Sequence, residues 1–342
     1  MPRFNNFDIL RLLFAWIVVF THCYDLSLSP AFLKLLFLMQ SERAVFGFFA
    51  ISGCLIVASW DRARSARDYF SRRAKRILPA YWLAILFCLI MGSLFTSLPL
   101  HTFWMNAATW KYIFWNLLFL NFVHPSLPGV FSNNPYAVMD GALWTIKLEV
   151  GFYLLVPILI YCVRRFGRGL TLSSVFVASV VYRMVLMHMG RVTLAQQLPG
   201  QLCFFIAGTA VYYYFPQFLA HRKKVWLIVL PLLVAAFLTN WVILDAIAIP
   251  LFTMAIAFLL PAYRGITHYG DFSYGTYVLH FPIVQGIIAV GLFARSPWLA
   301  FTVVVGVVSV AAVASWFGVE RRFLQAARVR QQESEAKGQI AV

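Results

Sequence analysis

Residues 9–28 read ILRLLFAWIVVFTHCYDLSL, an apolar run that carries Arg11 near its start and His22 near its end. As a helix rising about 1.5 Å per residue it covers about 30 Å, the thickness of a bilayer's hydrocarbon core. At about 100° per residue, Arg11 and His22 fall within about 20° of one face and about 16 Å apart along the axis. Ionisable groups inside a span are costly, and they face a cavity or a partner. Asp8 precedes Arg11 by three positions, at pairing distance on a helix. Ala15 and the modest Val18 lie between them on that face, while Trp16 and Phe20 point away. One side of this helix is thus a polar stripe with room beside it. An Arg11 that snorkels to the headgroups and a His22 that is only hydrogen-bonded in the core would give the same spacing.

The rest of the 342 residues repeats the pattern. Hydrophobic residues make up 62% of the chain, aromatics 17% and charged residues only 12%. A soluble surface needs about a quarter of its residues charged, so a soluble domain is excluded; long apolar runs exclude disorder. Nine further runs read as spans: 44–60, 77–97, 143–163, 170–189, 198–215, 225–239, 241–260, 274–293 and 298–317. The stretch 101–123, with Trp104, Trp110, Tyr112, Trp115 and Phe119, reads as interfacial or re-entrant. The expected fold is an all-α polytopic membrane protein of about ten transmembrane helices, occupying 1–320. The basic tail 321–342 is expected to be disordered. No cleaved signal is expected at the N-terminus, since no small-residue cleavage site follows the first run.

The formal charge of +16 would suggest nucleic acid in a soluble chain. Here it records topology, and no nucleic-acid partner is implied. With the N-terminus inside, twenty of the 28 Lys and Arg fall in inner segments, five in outer segments and three within spans. That bias predicts both termini in the cytoplasm and the loop 98–142 outside. Cys23, Cys54, Cys88, Cys162 and Cys203 sit in or beside apolar runs without a CxxC pair and read as small buried hydrophobes.

Glu149 is the second ionisable group inside a span, about six residues from the outer end of the fourth run and so roughly 9 Å deep. His22 lies at a similar depth. A carboxylate beside an imidazole orients it and raises its basicity, the pairing that general base catalysis uses. The alternative is a structural ion pair of Glu149 with Arg183 or, less readily, Lys147. The cluster Arg72-Arg73-Ala74-Lys75-Arg76, at the inner mouth of the third run, suits a phosphate; positive-inside bias or attraction to anionic lipid would produce much the same cluster. His280 falls in the inner half of the ninth run and is less informative. His101, His124, His221 and His268 lie in loops. Neither metal-ligand spacing nor a Walker, GxGxxG or GxSxG motif occurs, so no metal is expected.

In order along the chain, five segments resemble the motifs of the membrane-bound acyltransferase 3 family. They are Phe7-Asp8-Ile9-Leu10-Arg11 with His22; Phe48-Phe49-Ala50-Ile51-Ser52-Gly53-Cys54-Leu55-Ile56; Arg73-Ala74-Lys75-Arg76 with Ile77 and Pro79; Trp144-Thr145 through Glu149 to Phe152-Tyr153; and Ser273-Tyr274 through His280-Phe281-Pro282. Cys54 stands where an aromatic is usual, and Glu149 stands alone where many members have two adjacent carboxylates. The resemblance covers about 7–320 and implies a bacterial inner-membrane enzyme. It would move an acyl group, most often acetyl, from cytoplasmic acetyl-CoA to a hydroxyl of an envelope polysaccharide, an O-antigen sugar or a lipid-linked saccharide. It implies His22 as general base with Glu149 orienting it, or a transient acyl-His22. It also implies a donor site of Arg11, Arg72, Arg73, Lys75 and Arg76, with Asp8, Ser52, Gly53, Tyr153 and His280 as further motif residues. Many members carry a C-terminal SGNH hydrolase-like domain. This sequence ends 22 residues after Glu320 without one, and transfer is expected within the membrane domain or through a separate extracytoplasmic acyltransferase partner. A competing reading from the residues is a proton-coupled transporter or flippase of lipid-linked saccharides.

Overall fold

The computed structural model describes residues 5–263, 265 and 269–324. The expectations for Arg3, Arg264, His268 and the tail beyond 324, with Arg328, Arg330 and Lys337, lie outside the described residues.

Ten helices occupy the ten apolar runs: α1 Phe7–Ser27, α2 Ser41–Asp61, α3 Ala66–Phe95, α4 Trp144–Phe166, α5 Arg168–His188, α6 Leu198–Tyr213, α7 Arg222–Thr239, α8 Val242–Leu259, α9 Ser273–Ala289 and α10 Pro297–Ser315. Among the described residues there is no strand beyond the isolated bridge of Thr96 with Val130. Among the described residues, seven helices are long and apolar enough to cross a membrane: α1 to α5, α8, and α10 with its continuation to Leu324. α6 and α9 are short, at 16 and 17 residues, and α7 opens on Arg222-Lys223-Lys224. The chain is an all-α polytopic membrane protein.

α3 shows why. Trp82, Leu86, Ile90 and Leu94, four residues apart, are all exposed, while Tyr81, Ala84, Ile85 and Cys88 are buried. A helix apolar on both faces has no water-facing side and belongs in lipid. α3 also corrects an expected boundary, because it begins at Ala66, eleven residues before the expected start at Ile77. The signal is Ser65-Ala66-Arg67-Asp68, in which Ser65 Oγ accepts from the Asp68 N–H at 3.2 Å and Asp68 Oδ2 accepts from the Arg64 N–H at 3.0 Å. Ser65 thus caps the helix while Asp68 holds the residue before the cap, a relative of the S-x-x-D motif, and nothing breaks the helix before Pro79. The basic cluster is therefore helical, which places Arg72 and Arg76 on one face. Residues 101–123 form two short helices, Leu100–Met105 and Ala107–Leu117, joined at Asn106.

The described residues fall into two compact units. The first takes those of Met1–Phe14, Ser41–Tyr69 and Leu148–Gly265. Its core gathers Phe7, Leu10, Ala50, Ile51, Cys54, Val211 and Met254. α2 and α6 approach until their backbones nearly touch. A Cβ on Gly53 would stand 1.9 Å from the Phe205 carbonyl oxygen, and one on Gly208 1.9 Å from that of Ala50. Small residues permit this contact, as is usual between helices in lipid. Arg43, one of the five Lys and Arg that the charge bias assigns to outer segments, is buried in the first turn of α2. It donates to Asp245 Oδ1 at 2.8 Å and to the Ala236 carbonyl at 2.7 Å. Burial of a charge demands partners, and those supplied here set its position.

The second unit takes Ala15–Gln40, Phe70–Lys147 and Ile266–Val342, so far as described. Phe32, fully buried, packs edge-on against Phe20 at 5.5 Å and Trp298 at 5.1 Å, and Phe20 meets Phe301 at 5.4 Å. These rings hold the end of α1 that carries His22 against α10. Gln285 of α9 donates to the carbonyls of Tyr136 and Val138, both at 2.7 Å, and so secures the long loop.

Candidate active site

Within the second unit, α1 brings His22 and α9 brings His280 to one point. Nδ1 of His22 lies 2.7 Å from Nε2 of His280. The rings are 9° from parallel with centroids 5.0 Å apart. That separation is what an in-plane N···N contact gives once both ring radii are added, so the rings lie edge to edge rather than face to face.

The hydrogen-bond chain fixes the protons. Nδ1 of His280 lies 2.7 Å from the carbonyl oxygen of Tyr277, which can only accept. His280 Nδ1 therefore carries hydrogen, and its Nε2 in the neutral ring is an acceptor. His22 Nδ1 must then donate to it, which leaves the lone pair of His22 on Nε2. A carbonyl on α9 thus selects, through a second imidazole, the tautomer of His22 that can take up a proton.

Local sequence makes this possible. Pro282 has no N–H to offer the Val278 carbonyl, so the hydrogen-bond ladder of α9 lacks one rung just after His280. In the same turn the His280 side chain reaches back to a backbone carbonyl three residues earlier. Tyr277 is fixed in turn, its hydroxyl 2.8 Å from Thr145 Oγ1 and 3.3 Å from the Ala142 carbonyl. The Phe281 ring stands edge-on to His22 at 5.3 Å. His280 is fully buried and His22 half-buried, so of the two residues His22 is the less enclosed.

One expectation changes, the depth of His280. Counting along the chain put His22 in the outer half of its span and His280 in the inner half of its own. Their contact puts both at one level, because counting assumes that every helix starts at the same depth. Nδ1 of His22, moreover, has His280 as its partner. Glu149, expected to orient His22, is engaged within the first unit: Ser52 Oγ donates to Oε2 at 2.8 Å and Tyr153 Oη to Oε1 at 3.0 Å. The Tyr69 hydroxyl donates to the Tyr153 carbonyl at 3.1 Å. Ser52, Glu149 and Tyr153 are thereby joined, and the adjacent Gly53 serves the helix contact. Arg183, the competing partner for Glu149, pairs with Glu42 at 2.5 Å. Asp8 and Arg11 pair at 3.0 Å.

In the basic cluster, Arg72, Arg73, Lys75 and Arg76 are all partly exposed on α3. Arg76 Nη2 is in short contact with Asp271 Oδ2 just before α9. Sequence reasoning passed over Asp271, and also Asp140, a buried carboxylate whose Oδ1 accepts from the Ala142 N–H at 2.9 Å. Asp140 follows Pro135 closely and lies outside every apolar run, so no spacing argument reached it.

A family profile described as "Acyltransferase domain" matches residues 4–317. The chain is 28% identical to "Nodulation protein 10" of Rhizobium leguminosarum bv. viciae, over 93% of this chain and 92% of that protein. It is 26% identical to "O-acetyl transferase" of Shigella phage Sf6, over 95% and 97%. No solved structure matches.

Proposed function

This chain belongs to the acyltransferase family which that profile describes, and on that premise we propose that it moves an acetyl group from acetyl-CoA to a saccharide hydroxyl, with His22 as general base. The observation that carries the reading is the chain of contacts from the Tyr277 carbonyl through His280 to His22, because it leaves the lone pair of the neutral His22 ring on Nε2. In the reaction, His22 Nε2 accepts the proton of the acceptor hydroxyl as its oxygen bonds to the acetyl carbon. The carbon–sulfur bond breaks, the CoA thiolate takes the proton, and His22 returns to its starting tautomer. A base of this kind contributes about 10²–10⁴-fold.

Arg72, Arg73 and Lys75 suit the donor's phosphates, as a cation cluster on one stretch of helix does. Arg11 supports passage of the donor along the polar side of α1. Glu149, set by Ser52 and Tyr153, is assigned a supporting role in the same transfer. The acceptor we propose is a hydroxyl of an envelope polysaccharide or lipid-linked saccharide; transfer of acetyl to oxygen, though not the acceptor, is what the phage relative is named for. The positive-inside bias supports a bacterial inner membrane with both termini cytoplasmic.

The test is purified protein in lipid nanodiscs with acetyl-CoA and a saccharide acceptor. Free CoA should appear with wild type, and His22→Ala should lower its rate by about 10²–10⁴-fold. Saccharide movement across vesicles without CoA release would favour the transporter reading instead.

A further inference from the structure

Two contacts tie the foot of α9 to α3, through Asp271 and Tyr274, and two more hold Asp271 to Ser273. Asp271 Oδ2 is in short contact with Arg76, with side chains 11% and 23% exposed respectively. Its Oδ1 accepts from the Ser273 N–H at 3.2 Å, and from the Ser273 hydroxyl in another short contact. One turn along, the Tyr274 hydroxyl donates to the Ile77 carbonyl at 3.3 Å. All of these residues belong to the second unit, and α9 runs on from them to His280, about 10 Å up the helix from Ser273.

We propose that Arg76 and Asp271 are a positioning pair for the His22–His280 contact, and that Arg76 takes no part in gripping the donor's phosphates. This rests on the transferase reading above. Arg76 is already neutralised, and a phosphate would have to displace a carboxylate that also caps α9. The pair's leverage follows from geometry. A side chain about 5–6 Å from a helix axis moves about 2 Å when the helix turns by about 20°. The contact between the imidazoles is 2.7 Å, and such bonds weaken steeply beyond about 3.2 Å. A charged clamp at the foot of α9 restrains that rotation, and so sets the tautomer of His22 through His280.

Turnover and direct acetyl-CoA binding by full-length protein in nanodiscs test this. Asp271→Asn and Arg76→Gln should each lower kcat by about ten-fold or more, with the KM and affinity for acetyl-CoA within about two-fold of wild type. The double variant should be no worse than either single one, since both break one clamp. In protein with ¹⁵N-labelled histidine, Asp271→Asn should shift the imidazole signals of His22 and His280. If a variant accumulates poorly, Arg76→Lys and Asp271→Glu, which keep the charges, should recover both kcat and the imidazole signals. Arg76→Gln that weakens donor binding at unchanged kcat, or Asp271→Asn that tightens it, would overturn the proposal and make Arg76 a phosphate ligand. Wild type that releases no CoA would overturn the transferase reading and this inference together; active wild type with unchanged kcat in Asp271→Asn would overturn this inference alone.

Discussion

His280 accepts a hydrogen bond from His22 across 2.7 Å, although 258 residues separate them in the chain. In the familiar catalytic arrangement a carboxylate holds the imidazole. Here a neutral ring backed by a peptide carbonyl does so. His280→Ala should therefore lower acetyl transfer by at least ten-fold, because His22 is left free to place its proton on either nitrogen. The double variant with His22→Ala should be as slow as His22→Ala alone, since residues acting as one unit are not additive. Rates at matched protein level measure this, and fully additive losses would show that the two rings act separately.

The Gly53 and Gly208 contacts make a different prediction, about stability. An added methyl at either position meets a backbone carbonyl at 1.9 Å, and backbone cannot swing aside. Gly53→Ala should cost about 1–3 kcal/mol, the range for overpacking. A lowered melting temperature in detergent is the readout. Unchanged melting would mean that α2 and α6 separate at little cost.

Arg43→Met should cost about 3 kcal/mol, the low end for breaking a buried pair, since it leaves Asp245, 13% exposed, without its cation. Replacing both, as Arg43→Met with Asp245→Leu, should recover most of that loss. Thermal denaturation of the two variants decides it. A double variant as unstable as the single one would locate the cost in the bonds to Ala236 and Asn240 rather than in the ion pair.

Asp140 lies outside the spans, in the turn before α4. Burial pushes its carboxyl well above the usual carboxylate range, and hydrogen bonds from the Ala142 and Leu143 N–H groups offset part of that. The folded chain thus holds a proton that the unfolded chain releases at about pH 4. Stability from this group is fully present below that pH and is lost as pH rises towards the folded value. Asp140→Asn keeps the acceptor for Ala142 and removes the titration. It should raise the melting temperature at neutral pH and bring no gain below about pH 4. Melting curves across that range test it, and a gain that persisted at acid pH would exclude titration as its origin.

Sequence alone determined the class of this protein. Apolar runs of fixed length have one stable setting, because backbone polar groups in lipid must be satisfied inside each helix. All ten runs became helices, with boundaries shifted by a few residues except at Ala66, where the Ser65 cap extends α3 into polar sequence. The ionisable residues His22, Glu149 and Arg76 were legible too, since a charge within or against lipid stands out. Their partners were not. Partnership depends on helix depth and rotation, which packing sets and which counting along the chain does not measure. Only the tertiary structure decided that His22 meets His280, that Glu149 takes Ser52 and Tyr153, and that Arg76 closes on Asp271.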